Sequence, residues 1–306
     1  MAHIPDGFLS PSVLAGTAAA SVAALAVAAR RSRATLGERE APLLGAATAF
    51  VFAAQMLNFP IGAGTSAHLL GGTLVAVTLG PGSGMLVMFA VVLVQALLFQ
   101  DGGVAALGAN TLNIAVLGPG VGWLIFRTGV HLLGPGHRRR LGVVGAAAFL
   151  STASVGVAVA LELALSDLVP FGPALLVVGS VHLIVGVAEA GLTMAIFALL
   201  GRSRPELLAR ATAPSPAARR WAWAAAAGSL AIAVATAYLA SARPDALQAA
   251  AARLGIAGPD AAPLQGPFAG YTAPLGGPWV AAALGVVVVF GLIWGVASLA
   301  GARRRL

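Results

Sequence analysis

Residues 277–301 read GPWVAAALGVVVVFGLIWGVASLAG, and Arg303, Arg304 and Arg305 follow almost at once. The run holds no charged side chain. As a helix rising about 1.5 Å per residue it outreaches the roughly 30 Å apolar thickness of a bilayer. An apolar helix closed by arginines is a membrane span with its basic end in the cytoplasm, and the rest of the chain repeats that pattern.

Composition agrees. Of 306 residues, 59% are hydrophobic and 9% charged, against about 25% charged in a soluble domain; the mean hydropathy is +0.92. Apolar runs lie at roughly 9–29, 41–60, 69–81, 84–99, 104–126, 141–165, 173–201, 221–241 and 277–301. The third is short, and Gly118-Pro119-Gly120 interrupts the fifth. The expected fold is all-α, a polytopic membrane bundle of about nine transmembrane helices. With the N-terminus outside and the C-terminus inside, 16 of 18 arginines become cytoplasmic, and only Arg243 and Arg253 stay outside. The arginines follow the first apolar run instead of preceding it, so that run reads as a retained helix and not as a secretory signal.

The polar, proline-containing stretch 202–220 reads as a cytoplasmic linker. It divides a seven-span unit, 1–201, from a two-span unit, 221–306, with an external loop at 242–276 rich in Pro, Gly and Ala. Cysteine is absent, which excludes disulfides and thiolate metal sites. Lysine is absent too, so no P-loop ATPase site exists in this chain. The net charge of +8 sits in short arginine clusters between spans, which argues against nucleic-acid binding.

Chemistry must therefore come from five histidines and ten acids. His3 lies beside the α-amine. An amine, deprotonated backbone amides and an imidazole Nδ1 close small rings around one ion, and an all-nitrogen tetragonal set suits Ni²⁺ or Cu²⁺. Asp6, between Pro5 and Gly7, reads as a turn that folds the N-terminal strip back. His68 stands in the irregular stretch Asn58 to Gly72, on the same side as His3. Pro60 and the glycines stop one helix there, and Thr65 or Ser66 is placed to cap the next. Irregular backbone at membrane depth lines cavities, so His68 is as readily a ligand as a structural residue. His131 and His137, beside Arg138 to Arg140, read as solvated or facing lipid headgroups. Glu162, His182 and Glu189 fall inside spans, where ionisable groups are costly. His182 and Glu189, seven apart on one helix face, form a possible intramembrane polar site or a packing pair. Asn110 and Asn113 are intramembrane groups able to cap broken helices or orient ligands.

These residues resemble the substrate-binding membrane subunit of cobalt/nickel energy-coupling-factor transporters, the CbiM/NikM family. The resemblance rests on His3-Ile4-Pro5-Asp6-Gly7-Phe8-Leu9, on Asn58-Phe59-Pro60 with Gly64 to Gly72, and on Gly102-Gly103 with Leu107-Gly108-Ala109-Asn110. Gly186-Val187-Ala188-Glu189 with Thr193 is a weaker match. The tail resembles the two-span N component, often a separate chain. Its Pro-Asp-Gly-Leu-Glu appears here as Pro244-Asp245-Ala246-Leu247-Gln248, and Tyr271 to Pro274 resembles a later motif.

Family members commonly begin Met-His, whereas Ala2 intervenes here. Methionine is trimmed before small residues, which makes Ala2 the expected N-terminus. The donors implied are then the Ala2 amine, the His3 amide, His3 Nδ1 and His68; if Met1 is retained, its amine, two amides and His3 fill the plane. Asn58, Thr65, Ser66 and Asn110 are the implied supporting residues. The resemblance implies Ni²⁺ or Co²⁺ as transported substrate, an inner (plasma) membrane location, and partners in a coupling transmembrane subunit and ATPase subunits. The chain itself is no enzyme on this reading. A stand-alone secondary carrier coupled through Glu162 and Glu189, or an intramembrane metalloenzyme, are the competing classes.

Overall fold

The computed structural model describes residues 3–32, 40–62, 65–134, 136–203, 216–241, 243–253, 266–274 and 276–302, together with 205, 208 and 255. The fold is helical apart from one small hairpin. Helix α1 is Pro11–Ser32, α2 Ala41–Met56, α3 Gly72–Leu79, α4 Pro81–Phe99 and α5 Leu107–Leu133. Helices α6 (His137–Leu165), α7 (Phe171–Ser203), α8 (Pro216–Leu239), α9 (Ala246–Arg253) and α10 (Gly277–Ala302) complete the described set.

Seven of these are long and apolar enough to cross a membrane: α1, α4, α5, α6, α7, α8 and α10. The two remaining apolar runs form shorter helices. Helix α2 has 16 residues and α3 only 8, so α3 is about 12 Å long. The run at 41–60 ends at Met56, before Pro60, because the chain turns there into the hairpin.

Three helices contain π turns, the one in α7 covering Leu175–Gly179. In α5 the turn covers Thr111–Leu117, just ahead of Pro119. Proline has no N–H to give, and a widened turn absorbs the break in hydrogen-bond register; the helix therefore passes through Gly118-Pro119-Gly120. In α4 the turn covers Gln95–Phe99, and Gln100 ends the helix with a left-handed φ of 59°. The chain then reaches Asp101 and Gly102, where φ is +94°.

The C-terminal helices pack directly on the first part of the chain. A Cβ at Gly45 of α2 would stand 2.8 Å from the Phe290 ring of α10, and one at Gly285 would meet Phe52 and, at 2.7 Å, Phe99. Small residues let helix backbones approach where the bilayer supplies no hydrophobic drive. Trp223, Phe290 and Trp294 close the same interface with ring centroids 5.0–5.3 Å apart. Helix α2 is thus wrapped by protein, and Phe52, Val51 and Ala53 are fully buried.

Thr65 and Ser66 do not cap a helix. Residues Phe59–Gly62 (β1) and Thr65–Ala67 (β2) form an antiparallel hairpin with Phe59 opposite Ala67, and α3 starts later, after Gly71 at φ +77°. The tail lays a third extended piece on it. Ser66 N–H donates to the Pro244 carbonyl at 3.0 Å, its hydroxyl donates to the Arg243 carbonyl at 2.8 Å, and Ser241 N–H donates to the Asn58 carbonyl at 2.8 Å.

Candidate metal centre

The N-terminal strip is plugged into the start of α5. Ile4 is fully buried, and its N–H donates to Asn110 Oδ1 at 2.7 Å while Asn110 Nδ2 donates to the Ile4 carbonyl at 3.0 Å. Gly103 N–H donates to the same carbonyl at 2.9 Å. The Asp6 carboxylate accepts the N–H groups of Val104, Ala105 and Ala106 at 3.2, 2.8 and 3.2 Å. These N–H groups lie in the turn that ends at Ala106, the residue before α5, so an anion from about a hundred residues earlier fixes the turn at the positive end of that helix. Gly7, at φ +83°, turns the chain away into α1.

This seating requires the Gly102-Gly103 pair. A Cβ on Gly103 would collide with Asp6, and one on Gly102 would stand 2.8 Å from Asn110 Nδ2 and 3.3 Å from His3 Nδ1. His3 is consequently held inside the protein with 3% of its surface exposed. Among the described residues neither ring nitrogen has a hydrogen-bond partner, an arrangement that costs free energy unless something fills it.

His68 faces it, with ring centroids 5.2 Å apart and planes tilted by 54°. His68 Nδ1 lies 2.9 Å from the Leu69 carbonyl; a carbonyl only accepts, so Nδ1 carries the proton and Nε2 the lone pair. Burial, and then the neighbouring His3, push His68 down to about 3, so it is a neutral imidazole at physiological pH. Asp101 completes the group. Its Oδ1 stands 3.9 Å from His3 Nδ1, and one donor atom from each of His3, His68 and Asp101 lies within 4.8 Å of the others. Burial raises the Asp101 carboxyl, but His3 and a hydrogen bond from Tyr271 outweigh it and hold the group below the usual carboxylate range. The site therefore offers two imidazoles and one anion.

Residues 3–207 match the family described as the cobalt uptake substrate-specific transmembrane region. The chain belongs to that family. It is 37% identical over 227 residues to the fused nickel transport protein NikMN of Rhodobacter capsulatus, a match covering 70% of this chain and 65% of that one. It is 33% identical over 220 residues to the cobalt transport protein CbiM of Kyrpidia tusciae, covering 68% and 87%. A crystal structure of a truncated transition metal transporter superposes with a TM-score of 0.60 at 33% identity, over 65% of this chain and 98% of the other.

Within this family member, the residues singled out from sequence fall into three groups. His3 and His68 come together, with Asn110 clamping the strip that carries His3; Ala2 and Met1 lie outside the described residues. Asn58, Thr65 and Ser66 lie in or beside the hairpin that leads to His68, and Asn58 and Ser66 bond to the tail. His182 and Glu189 do not join the centre. His182 Nδ1 donates to the Val178 carbonyl at 2.8 Å and its ring packs on Gly156. Glu189 accepts the N–H groups of Leu70 and Gly71 at 3.0 and 2.6 Å. Glu162 accepts Asn113 Nδ2 at 2.7 Å. Among the described residues, His3, His68 and Asp101 are the one group of metal-ligand type with three members.

Two residues of the centre are not among the candidate ligands read from the sequence, although Tyr271 opens the Tyr271 to Pro274 motif of the tail. Asp101 is the acid beside His3. Tyr271, beyond the matched residues, donates its hydroxyl to Asp101 Oδ2 at 2.6 Å. Tyr271 has a left-handed φ of 59°, a conformation costing roughly 1–2 kcal/mol for a residue with a Cβ. Its ring is stacked on Phe99 at 4.8 Å, and the Phe268 N–H donates to the Leu98 carbonyl at 2.8 Å, so the segment is fixed to the end of α4. Burial and the adjacent Asp101 charge raise the Tyr271 phenol well above its ordinary value, keeping it a donor.

Proposed function

We propose that this chain is the metal-capturing membrane subunit of an ATP-driven energy-coupling-factor importer for Ni²⁺ or Co²⁺ in the plasma membrane, with its N-terminus outside. The observation that carries the reading is the buried His3 ring, both nitrogens without a hydrogen-bond partner among the described residues, with the His68 ring 5.2 Å away. The donors are the Ala2 amine, the His3 amide, His3 Nδ1 and His68, with Met1 supplying the amine instead if it is retained. Four nitrogens in a plane select against Mg²⁺ and Ca²⁺, which take oxygen ligands in other geometries. The names of the relatives support nickel and cobalt as substrates.

Transport follows from capture in three parts. Metal arriving from outside displaces the amide proton to solvent, and the deprotonated amide lowers the charge that must leave water. The strip keeps His3 in place for the ion because Asn110 and Asp6 hold it. Release inside takes work from partner ATPase subunits acting through a coupling transmembrane subunit. Residues 1–201 form the capture unit on this reading, 202–220 the linker, and 221–306 the N-type unit. The competing secondary carrier needs a free intramembrane acid, whereas Glu162 and Glu189 both already accept protein donors.

Vesicle uptake of Ni²⁺ separates these classes. Accumulation is expected only when ATP-hydrolysing partner subunits are co-reconstituted; accumulation driven by a proton gradient in this chain alone would overturn the proposal. Intact mass of the purified protein tests the Ala2 terminus.

A further inference from the structure

Gln55 of α2 and Gln95 of α4 are amides buried to 1% and 0% exposure, and they bond to each other. Chemistry sets how both are turned. The Leu70 carbonyl only accepts, so Gln55 gives it Nε2 at 2.7 Å and keeps Oε1 for Gln95. Gln95 answers with its own Nε2 at 2.9 Å. The Tyr271 phenol oxygen also takes a hydrogen bond from the Gln95 side chain, and the phenol O–H goes on to Asp101 Oδ2 at 2.6 Å. Gln95 Oε1 has no partner among the described residues, as fits an amide whose two donors are both aimed at acceptors.

This chain of bonds joins the two sides of the metal centre. One end lies at Leu70, two residues past His68. The other lies at Asp101, one residue before Gly102, where a Cβ would stand 3.3 Å from His3 Nδ1. Gln95 holds that second side through its backbone as well, since its carbonyl accepts the N–H groups of Gln100 and, at 3.0 Å, Asp101.

We infer that Gln95 is a positioning residue for metal capture, the link through which α4 holds the His68 segment and the loop seating His3 at a fixed separation. The inference rests on the metal-capture reading above. Asp101 serves it as an anchor of the loop and not as a ligand, so the four-nitrogen set is unchanged. A buried, closed polar network favours one arrangement over its neighbours, because slack at any bond leaves a buried group unpaired. A metal site needs such a frame, since its donors must stay within roughly 0.5 Å of the binding geometry. Here the two imidazoles come from segments far apart in the chain, and Gln95 ties those segments together.

The test is Ni²⁺ titration of the full-length protein, with visible absorption of each loaded sample. Wild type is set beside His3→Ala, Gln95→Met, Gln55→Met, Tyr271→Phe and the double variant of the last two. Methionine keeps the length of a glutamine side chain and removes its hydrogen bonds. Gln95→Met is expected to bind about tenfold more weakly and to lose part of the absorption of planar Ni²⁺. The double variant is expected to weaken binding by clearly less than the product of its two single factors, because either single change already breaks the chain. If His3→Ala loses the metal while Gln95→Met keeps wild-type affinity, the Gln95 inference is overturned and the capture site stands. Weaker binding with unaltered absorption would mark a merely structural residue and overturn it too. Single factors that simply multiply overturn it whether or not Gln95→Met folds. If His3→Ala binds as the wild type does, the capture reading and this inference fall together.

Discussion

Glu189 Oε1 accepts the Gly71 backbone N–H at 2.6 Å and Oε2 accepts that of Leu70 at 3.0 Å, so α7 grips the chain two residues beyond His68. A third bond, from Gln55 Nε2 to the Leu70 carbonyl at 2.7 Å, holds the same peptide from α2. A buried acid that the sequence leaves open as a second ligand site is thus engaged in fixing the first. Glu189→Gln turns one acceptor into a donor facing an N–H, and leaving a buried donor unpaired costs about 1–3 kcal/mol. The detergent-solubilised variant should melt at a lower temperature and bind Ni²⁺ more weakly. An unchanged melting temperature would show that these bonds contribute nothing.

Gly103 allows the N-terminal strip to seat. A Cβ there runs into Asp6, and the obstacle includes backbone as well as side chain. Gly103→Ala should therefore displace the strip and abolish tight Ni²⁺ binding while circular dichroism of the helices stays the same. Tight binding by this variant would mean that the strip can be held some other way.

The stability of the metal-free protein should fall in mild acid. Folding lowers His68 from 6.5 to about 3, so between these values the unfolded chain binds a proton that the folded one refuses. Stability then rises with pH across that window and is lost as pH drops through it. The melting temperature should decrease from pH 7.5 to pH 5, and His68→Gln should remove part of the decrease. An identical pH dependence in that variant would assign the effect elsewhere.

Packing of the tail predicts a further outcome. Gly285 lies against Phe52 and Phe99, and Phe99 carries the Tyr271 ring. Gly285→Leu should push α10 away, loosen residues 266–271 and raise their susceptibility to protease, with weaker Ni²⁺ binding in step. Unaltered proteolysis would contradict the role given to this contact.

The helices are legible because span length and arginine placement are local properties of sequence. His3 is legible through its closeness to the amine, and Asn110 as a polar group in an apolar run. The hairpin is harder to read, because Pro60 and the glycines signal a break in the helix without specifying the structure after the break. Gly62 and Gly64, between two short β-capable runs, are the available cue. Asp101 stands in plain sight as one of ten acids, in a loop between two spans. Nothing within several residues of it reports that His3 and Tyr271 close upon it, since those contacts span 98 and 170 positions. His182 and Glu189 share a helix face as expected, but the shared face says nothing of the partners, which lie at Val178 and at Leu70 and Gly71.

The central claim is that His3 and His68 hold one metal ion between them, and calorimetric titration of purified full-length protein with Ni²⁺ tests it most directly. The wild type should take up one tightly bound ion per chain, His3→Ala none, and His68→Ala one bound far more weakly. Equal, tight binding by all three would contradict the account.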